Sequence, residues 1–149
     1  MENSVWKELE NYFEDDRNDY VGGRVNISLV EEAEKKVGLK FSLDYKKFLE
    51  LYGGATVGGE LIYGLSYQQC MSINCWSVLD KTFFFKNKQK WPDIDDWYII
   101  SDDGRGNPIG CKPDGSVWLS DHDAGFEQVK LADDFEEFLH KLLTDTLYE

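Results

Sequence analysis

The apolar period of this chain changes at the glycine-rich stretch Gly53 to Gly59, and that change restricts the fold more than any other feature. Before it, apolar residues recur at helical spacing. Tyr45, Phe48, Leu49 and Tyr52 stand at i, i+3, i+4 and i+7, the mark of one buried helix face. Ser42 precedes them as an N-cap, and Gly53-Gly54 stops them. An earlier helix carries Val30, Ala33 and Val37 as its stripe. Ser28 with Glu31 reads as its reciprocal capping box, and Gly38 is placed to end it in a left-handed conformation. A first helix over Val5 to Phe13 sets Trp6, Leu9 and Phe13 on one side, and the charged run Glu14-Asp15-Asp16-Arg17 follows it.

After Gly59 the pattern becomes that of strands. Short strands are expected over Glu60 to Gly64, Trp97 to Ser101, Asn107 to Lys112 and Ser116 to Ser120. Lys112-Pro113-Asp114-Gly115 joins the last two as a type I turn plus glycine, a specific hairpin signal. Leu65 to Asp80 is compatible with loop, a short helix or both. Lys81 to Trp91 sets Phe83-Phe84-Phe85 among four lysines. A closing helix from about Asp133 to Leu147 presents Phe135, Phe138, Leu139 and Leu142, with Asp133 and Glu136 as its cap. Helices, then strands, then one helix define an α+β fold, with about four helices on one face of a largely antiparallel or mixed sheet. The alternating βαβ units of a doubly wound fold are absent from the pattern.

A length of 149 residues suits one domain, 1–149, and the aromatic content supplies a core that needs no disulfide or metal. The odd count of three cysteines, Cys70, Cys75 and Cys111, points to reduced thiols and a cytoplasmic protein. The acidic start MENSVWKELENYFEDD lacks the apolar region of a signal peptide, and no apolar run approaches the ~20 residues of a membrane span.

The net charge of −13 has the wrong sign for direct nucleic-acid binding, which gains its affinity by neutralising phosphates, and for an anionic membrane surface. It suits solubility and the steering of basic partners equally well. The charge is unevenly spread. Asp93 to Asp123 holds eight Asp against Arg105 and Lys112, whereas Lys81 to Lys90 holds four Lys and no acid. Trp91, beside Pro92 in a loop, is the best candidate for an exposed aromatic anchor, while Trp97 and Trp118 suit sheet packing. The candidate partner-binding residues are therefore Trp91, Asp93, Asp95, Asp96, Asp102, Asp103, Asp121 and Asp123.

No constellation specifies catalysis, and an enzyme of unnamed reaction, built on His122 or His140 with nearby carboxylates, is the lower alternative to a binding module. Gly53-Gly54 and Gly58-Gly59 follow a helix and lack the Lys-Ser/Thr of a phosphate loop, and Gly104-Arg105-Gly106 is only a fragment of a dinucleotide fingerprint. No G-x-S-x-G elbow is present. Asp121-His122-Asp123 is the most metal-like cluster. On an extended chain its two Asp would share a side with His122 opposed, and the preferred reading is a polar turn at a strand end. No catalytic residue, metal ligand or cofactor is assigned.

The stretch VNISLVEEAEKKVGLKFSLDYKKFLELYGGATVGG, Val25 to Gly59, resembles the opening of the SUKH superfamily, and in particular its SUKH-1-like members. The shared elements are the pair Ala33-Glu34, the break Leu39 to Ser42, then Tyr45, Phe48-Leu49 and Gly53-Gly54. Gly106-Asn107-Pro108, Asp114-Gly115 and Asp121-His122-Asp123 are similar to the family's central strands, and LADDFEEFLHKLL to its closing helix. Ser42 departs from a proline common in the family, a small change because Ser caps a helix well. The resemblance covers roughly residues 23 to 143, a core preceded by the N-terminal helix. It implies a SUKH fold and a non-catalytic binding function of one of two kinds. Many bacterial members look like immunity proteins that bind and neutralise a cognate secreted toxin domain, often a nuclease, in contact-dependent and other polymorphic toxin systems. The fungal branch, related to a cell-wall-synthesis regulator, acts as an interaction module. An acidic member suits the first kind, with a monomer meeting a toxin of basic surface, because a nuclease groove is basic.

Overall fold

The computed structural model describes residues 4–15, 21–65 and 77–148. Cys70 and Cys75, Asp16 and Arg17, and most of the stretch Leu65 to Asp80 lie outside the described residues.

Three helices come first: α1 (Val5–Glu14), α2 (Ile27–Val37) and α3 (Leu43–Tyr52). Ser4 caps α1 by accepting from the Lys7 amide, and Ser42 caps α3 by accepting from the Tyr45 amide. The cap of α2 is Asn26 rather than Ser28. The Asn26 carboxamide oxygen accepts both the Ser28 amide and the Ser28 hydroxyl, each at 2.9 Å. Asn caps at least as well as Ser, so the helix starts earlier and the Ser28–Glu31 box does not form. Gly38 ends α2 at φ 83°, as its place after the apolar stripe requires.

Two strands unfold from the glycine stretch, β1 (Ala55–Val57) and β2 (Glu60–Ile62), paired antiparallel. Next come α4 (Val78–Phe83), capped by Ser77, and a π-helical turn over Phe84–Lys88. Four strands then form one antiparallel sheet in sequence order: β3 (Tyr98–Asp102), β4 (Pro108–Cys111), β5 (Val117–Asp121) and β6 (Glu127–Ala132). The Lys112–Gly115 turn joins β4 to β5, with the Gly115 amide donating to the Lys112 carbonyl at 2.8 Å.

The closing helix α5 is Phe135–Leu143, shorter than its apolar pattern suggested. Its cap sits one residue later than expected, at Asp134, which accepts from the Glu137 amide at 2.8 Å, and Glu137 reaches back to the Asp133 amide at 2.6 Å. The helix stops because the Thr144 hydroxyl turns back to the His140 carbonyl and Asp145 adopts φ 58°; Leu147 packs into the core from the turn beyond. The described residues thus hold five α-helices and two antiparallel sheets, the expected α+β arrangement.

The sheet has two covered faces. On one, Tyr98 and Cys111 pair across β3 and β4 and meet the helices. The Tyr98 hydroxyl accepts from the Ser42 amide at 2.8 Å, and its ring lies 5.5 Å from that of Tyr45. Tyr45, Phe48, Phe135 and Phe138 are fully buried there. Each such ring contributes about 2–3 kcal/mol through area removed from water. On the other face, alternation places Gly110, Trp118 and Ser120. The fully buried Trp97 lies across Gly110, and a Cβ at that position would come within 2.7 Å of its ring, so only glycine fits. The outer edge of β3 is closed: the Ile99 amide donates to the Thr82 hydroxyl at 2.8 Å, and Ile100 accepts from the Tyr63 amide at 2.7 Å.

Candidate partner-binding surface

The loop from Lys90 to Trp97 crosses the sheet face opposite the helices. Trp91 anchors it. The Trp91 indole N–H donates to the Ser120 hydroxyl at 2.7 Å, and its amide donates to the Phe85 carbonyl at 2.9 Å. Its half-buried ring is met edge-on by Phe85 at 5.4 Å, Phe126 at 5.2 Å and His122 at 5.9 Å. Trp91 is therefore the hub of an aromatic cluster and only partly a free anchor. Trp97 packs in the sheet as its β-rich setting suggested, with no partner for its indole N–H among the described residues. Trp118 is half-buried, with Lys112 over its ring at 4.1 Å.

Beyond Trp91 the backbone of the loop is tied, whereas its carboxylates accept no hydrogen bond among the described residues. The Asp93 carbonyl accepts from the Gln128 amide side chain at 2.8 Å, and the Asp95 carbonyl accepts from the Lys86 ammonium at 2.9 Å. Those bonds fix the backbone while the side chains of Asp93, Asp95 and Asp96 stay exposed. Burial lowers the Lys86 pKa, and the charges of Asp95 and Asp96 oppose that shift.

The remaining candidate acids gather where β3 ends, β4 begins and β5 ends, around Asn107, which is fully buried. The Asn107 side-chain amide donates to Asp103 at 2.8 Å and to Asp121 at 3.3 Å. Its oxygen accepts the His122 amide at 3.0 Å and also meets the His122 Nδ1. Asp103, with a side chain only 3% exposed, also accepts the Arg105 and Asn107 amides at 2.8 and 3.1 Å. Burial alone would raise the Asp103 pKa. The Asn107 side chain, the two amides and the Arg105 guanidinium together outweigh it and hold the carboxyl below its usual range. Asp102 accepts the Gly104 amide at 2.8 Å and the Tyr63 hydroxyl, and Asp121 accepts the Asp123 amide at 3.0 Å. Asp102, Asp103 and Asp121 thus spend their oxygens within the fold, whereas Asp123 is exposed, with its carboxylate 3.3 Å from the His122 Nε2.

Asp121-His122-Asp123 does not alternate as an extended chain would. His122–Ala124 forms a 3-10 turn, which brings one ligand atom from each of Asp121, His122 and Asp123 within 4.8 Å of the others. Three ligand atoms are one short of the set of a structural zinc site, and the Asp121 and Asn107 bonds give the cluster the role of a polar turn. Open grooves of about 400 and 420 Å³ lie elsewhere on the helices, the first lined by Glu34, Lys35 and Lys46 and the second by Trp6, Arg24 and Lys47.

Sequence reasoning assigned no role to Asn107, Glu60 or Phe126. The Gly106-Asn107-Pro108 motif was the signal for the first. Glu60, half-buried on β2, has its pKa raised by burial and then by the charges of Asp102 and Asp103. Burial, and then the charges of Glu60, Asp103 and Asp102, push the Tyr148 phenol up to about 12. A carboxyl raised in the folded state opposes folding only where it must ionise, above its unfolded value of about 4.3. Glu60→Gln should therefore raise the thermal midpoint near pH 7 and leave it unchanged below about pH 4. Thermal melts of both proteins across that range measure this; an equal midpoint at both ends would remove the acidic repulsion argued here.

No helix among the described residues is long and apolar enough to cross a membrane. A search of the curated proteins finds no match. A family model, the SMI1 / KNR4 family (SUKH-1), matches residues 25–141, more than three quarters of the chain. The match takes in α2 and α3 with their glycine stop, the four-stranded sheet with its Asn107 knot, and most of α5. The chain belongs to the SMI1 / KNR4 family, SUKH-1.

Proposed function

We propose that this chain is a non-catalytic protein-binding module that acts as a bacterial immunity protein, holding a cognate secreted toxin domain through its acidic surface. The observation that carries this reading is the array of exposed carboxylates, Asp93, Asp95 and Asp96 on the loop whose backbone is tied after Trp91, and Asp123 on the turn whose His122 meets the Trp91 ring. Fixed backbone with outward charge loses little on docking, and single-sign surfaces speed the meeting of opposite charges. The net charge of −13 adds a long-range field of the same sign. A nuclease groove, built to hold phosphate, is the kind of basic surface such a field selects, and carboxylates can stand where phosphates would. Family membership supports a binding role in general, and fold alone does not choose the partner.

The test is co-expression with the protein encoded by the adjacent toxin gene, followed by association kinetics at several salt concentrations. The association rate constant should fall roughly tenfold between about 50 and 500 mM salt, because steering is screened as the Debye length shrinks. Binding with a salt-independent rate would remove the electrostatic mechanism. Absence of any complex, together with no protection of cells against the toxin, would remove the immunity reading.

A further inference from the structure

Phe126 occupies a backbone position that its side chain does not suit. Gly125 and Phe126 are consecutive left-handed residues, at φ 69° and φ 66°, in the turn leading into β6. Such paired positions favour Gly, Asn or Asp, and a bulky residue there adopts a conformation that L side chains resist. A phenylalanine could be explained by burial, but Phe126 is 40% exposed and its described ring contact is the edge-on one with Trp91. The strain is not isolated. Lys90 at φ 53° and Asp93 at φ 61° bracket Trp91 in sequence. Three of the four non-glycine residues with left-handed backbone among the described residues therefore either lie within two residues of Trp91 in sequence or touch its ring. On its other side, the π-helical turn delivers Phe85 to that ring and leaves Phe84 36% exposed. Local choices that work against folding and converge on one exposed spot mark a place shaped by something other than folding.

The chemistry around the spot selects what docks there. Aromatic surface is presented by Trp91 and Phe126, and the exposed carboxylates of Asp93, Asp95 and Asp96 follow in the same loop, with Asp123 on the turn beside His122. Lys88 and Lys90 precede the ring and Lys86 is tied to the Asp95 carbonyl, so cations lead into the ledge and acids lead away from it. Exposed aromatic surface with exposed carboxylates in the same loop matches a guanidinium, which stacks flat on a ring while its fork of N–H donors pairs with a carboxylate. An ammonium can form the ion pair without the planar stack.

We propose that the Trp91–Phe126 ledge is the anchor of the docking surface and takes an arginine side chain of a basic partner protein, with Asp93, Asp95 and Asp96 supplying the countercharge. This rests on the partner-binding reading above and goes further, naming the residue class that the partner presents.

The experiment uses the full chain, labelled with ¹⁵N, and titrates it with two probes, acetyl-Gly-Arg-Gly-Arg-Gly-amide and its lysine counterpart. The arginine probe should shift the Trp91 indole N–H and the amides of residues 91–96 and 125–127 at a half-saturating concentration roughly threefold below that of the lysine probe. Phe126→Gly should bring the arginine response down to the lysine level, while its thermal midpoint stays level or rises because the strained backbone is relieved. Equal responses to the two probes, shifts spread over all the acidic loops, or an arginine preference that survives in Phe126→Gly would each overturn the anchor. A midpoint several degrees lower in that variant would assign Phe126 to packing instead. These outcomes concern the ledge alone; the wider reading fails separately, when the co-expressed toxin does not bind.

Discussion

Replacing Asn107 with alanine is expected to lower the stability of this fold by about 3–4 kcal/mol, because one carboxamide joins three chain segments at once. Its amine serves Asp103 and Asp121, and its oxygen serves the His122 amide and ring. Truncation strips those partners together in a place where water enters poorly, since Asn107 itself has no exposed surface and the Asp103 side chain is 3% exposed. For a chain of this size the thermal midpoint should fall by roughly 10 °C. Asn107→Asp keeps the shape and adds a negative charge beside Asp103. It should cost more than alanine near pH 7, and the excess should shrink as the pH falls and the new carboxyl takes up a proton. Denaturant titrations of the three proteins at several pH values measure both effects; an alanine loss below ~1 kcal/mol would show the knot to be dispensable. Asp103 sets a related limit. Its carboxyl is held low in the folded state, so the stability it contributes is present above its unfolded value of about 3.9 and is lost as the pH falls through the lower, folded one.

That knot explains why the acidic residues looked alike in the sequence and are not alike in the structure. Eight aspartates between Asp93 and Asp123 read as one charged surface, because spacing carries no information on which oxygens are already engaged. Asp102 and Asp103 turn to amides within four residues of themselves, but Asp102 also takes the Tyr63 hydroxyl and Asp121 takes the Asn107 amide, and those partners come from segments that one local window cannot contain. Trp91 was legible as a residue of the surface but not as its hub, since its neighbours Phe85, His122 and Phe126 come from distant segments. Asp121-His122-Asp123 misled in its geometry, because alternation holds only while the chain stays extended and a 3-10 turn gathers the three side chains.

The helices were more legible, for a local reason. The i, i+3, i+4, i+7 face of α3 and the glycine stops depend on residues within two turns of each other, and the buried Tyr45, Phe48 and Leu49 follow that spacing. Errors fell at the ends. Asn26 outcompeted Ser28 and Asp134 displaced Asp133, in each case because two capping residues stood close together. The strands divide in the same way. β3 and β5, buried and rich in β-formers, announced themselves, and β4 was marked by the Lys112–Gly115 turn that joins it to β5. β1 has three residues between glycine pairs, too few to show a period. β6 is an edge strand whose Glu127, Val129 and Lys130 are exposed, so the alternation that marks a half-buried strand is blurred.

The Ala33-Glu34 pair, a motif by resemblance, has a physical role in the turn from α2 to α3, and its loss should be the other large one. Glu34 is 8% exposed on α2, beside the buried Ala33 of the core stripe. Its carboxylate accepts the buried Phe41 amide at 2.8 Å, and the Lys46 ammonium stands 3.5 Å away. One side chain thus closes the short break between the two helices, which sets Ser42 where its amide meets the Tyr98 hydroxyl of the sheet. Glu34→Ala leaves a buried N–H without an acceptor and an ammonium without its anion, a loss of about 3 kcal/mol. Glu34→Gln keeps the acceptor and removes the charge, so it should lose about half as much; that loss reports the Lys46 pair and the remainder the Phe41 hydrogen bond. Lys46→Met in each background completes a double-mutant cycle. A coupling near zero, with Gln equal to wild type, would assign the whole effect to the Phe41 hydrogen bond. Equal losses for Ala and Gln would mean instead that the negative charge, rather than the acceptor geometry, holds the two helices in register against the sheet.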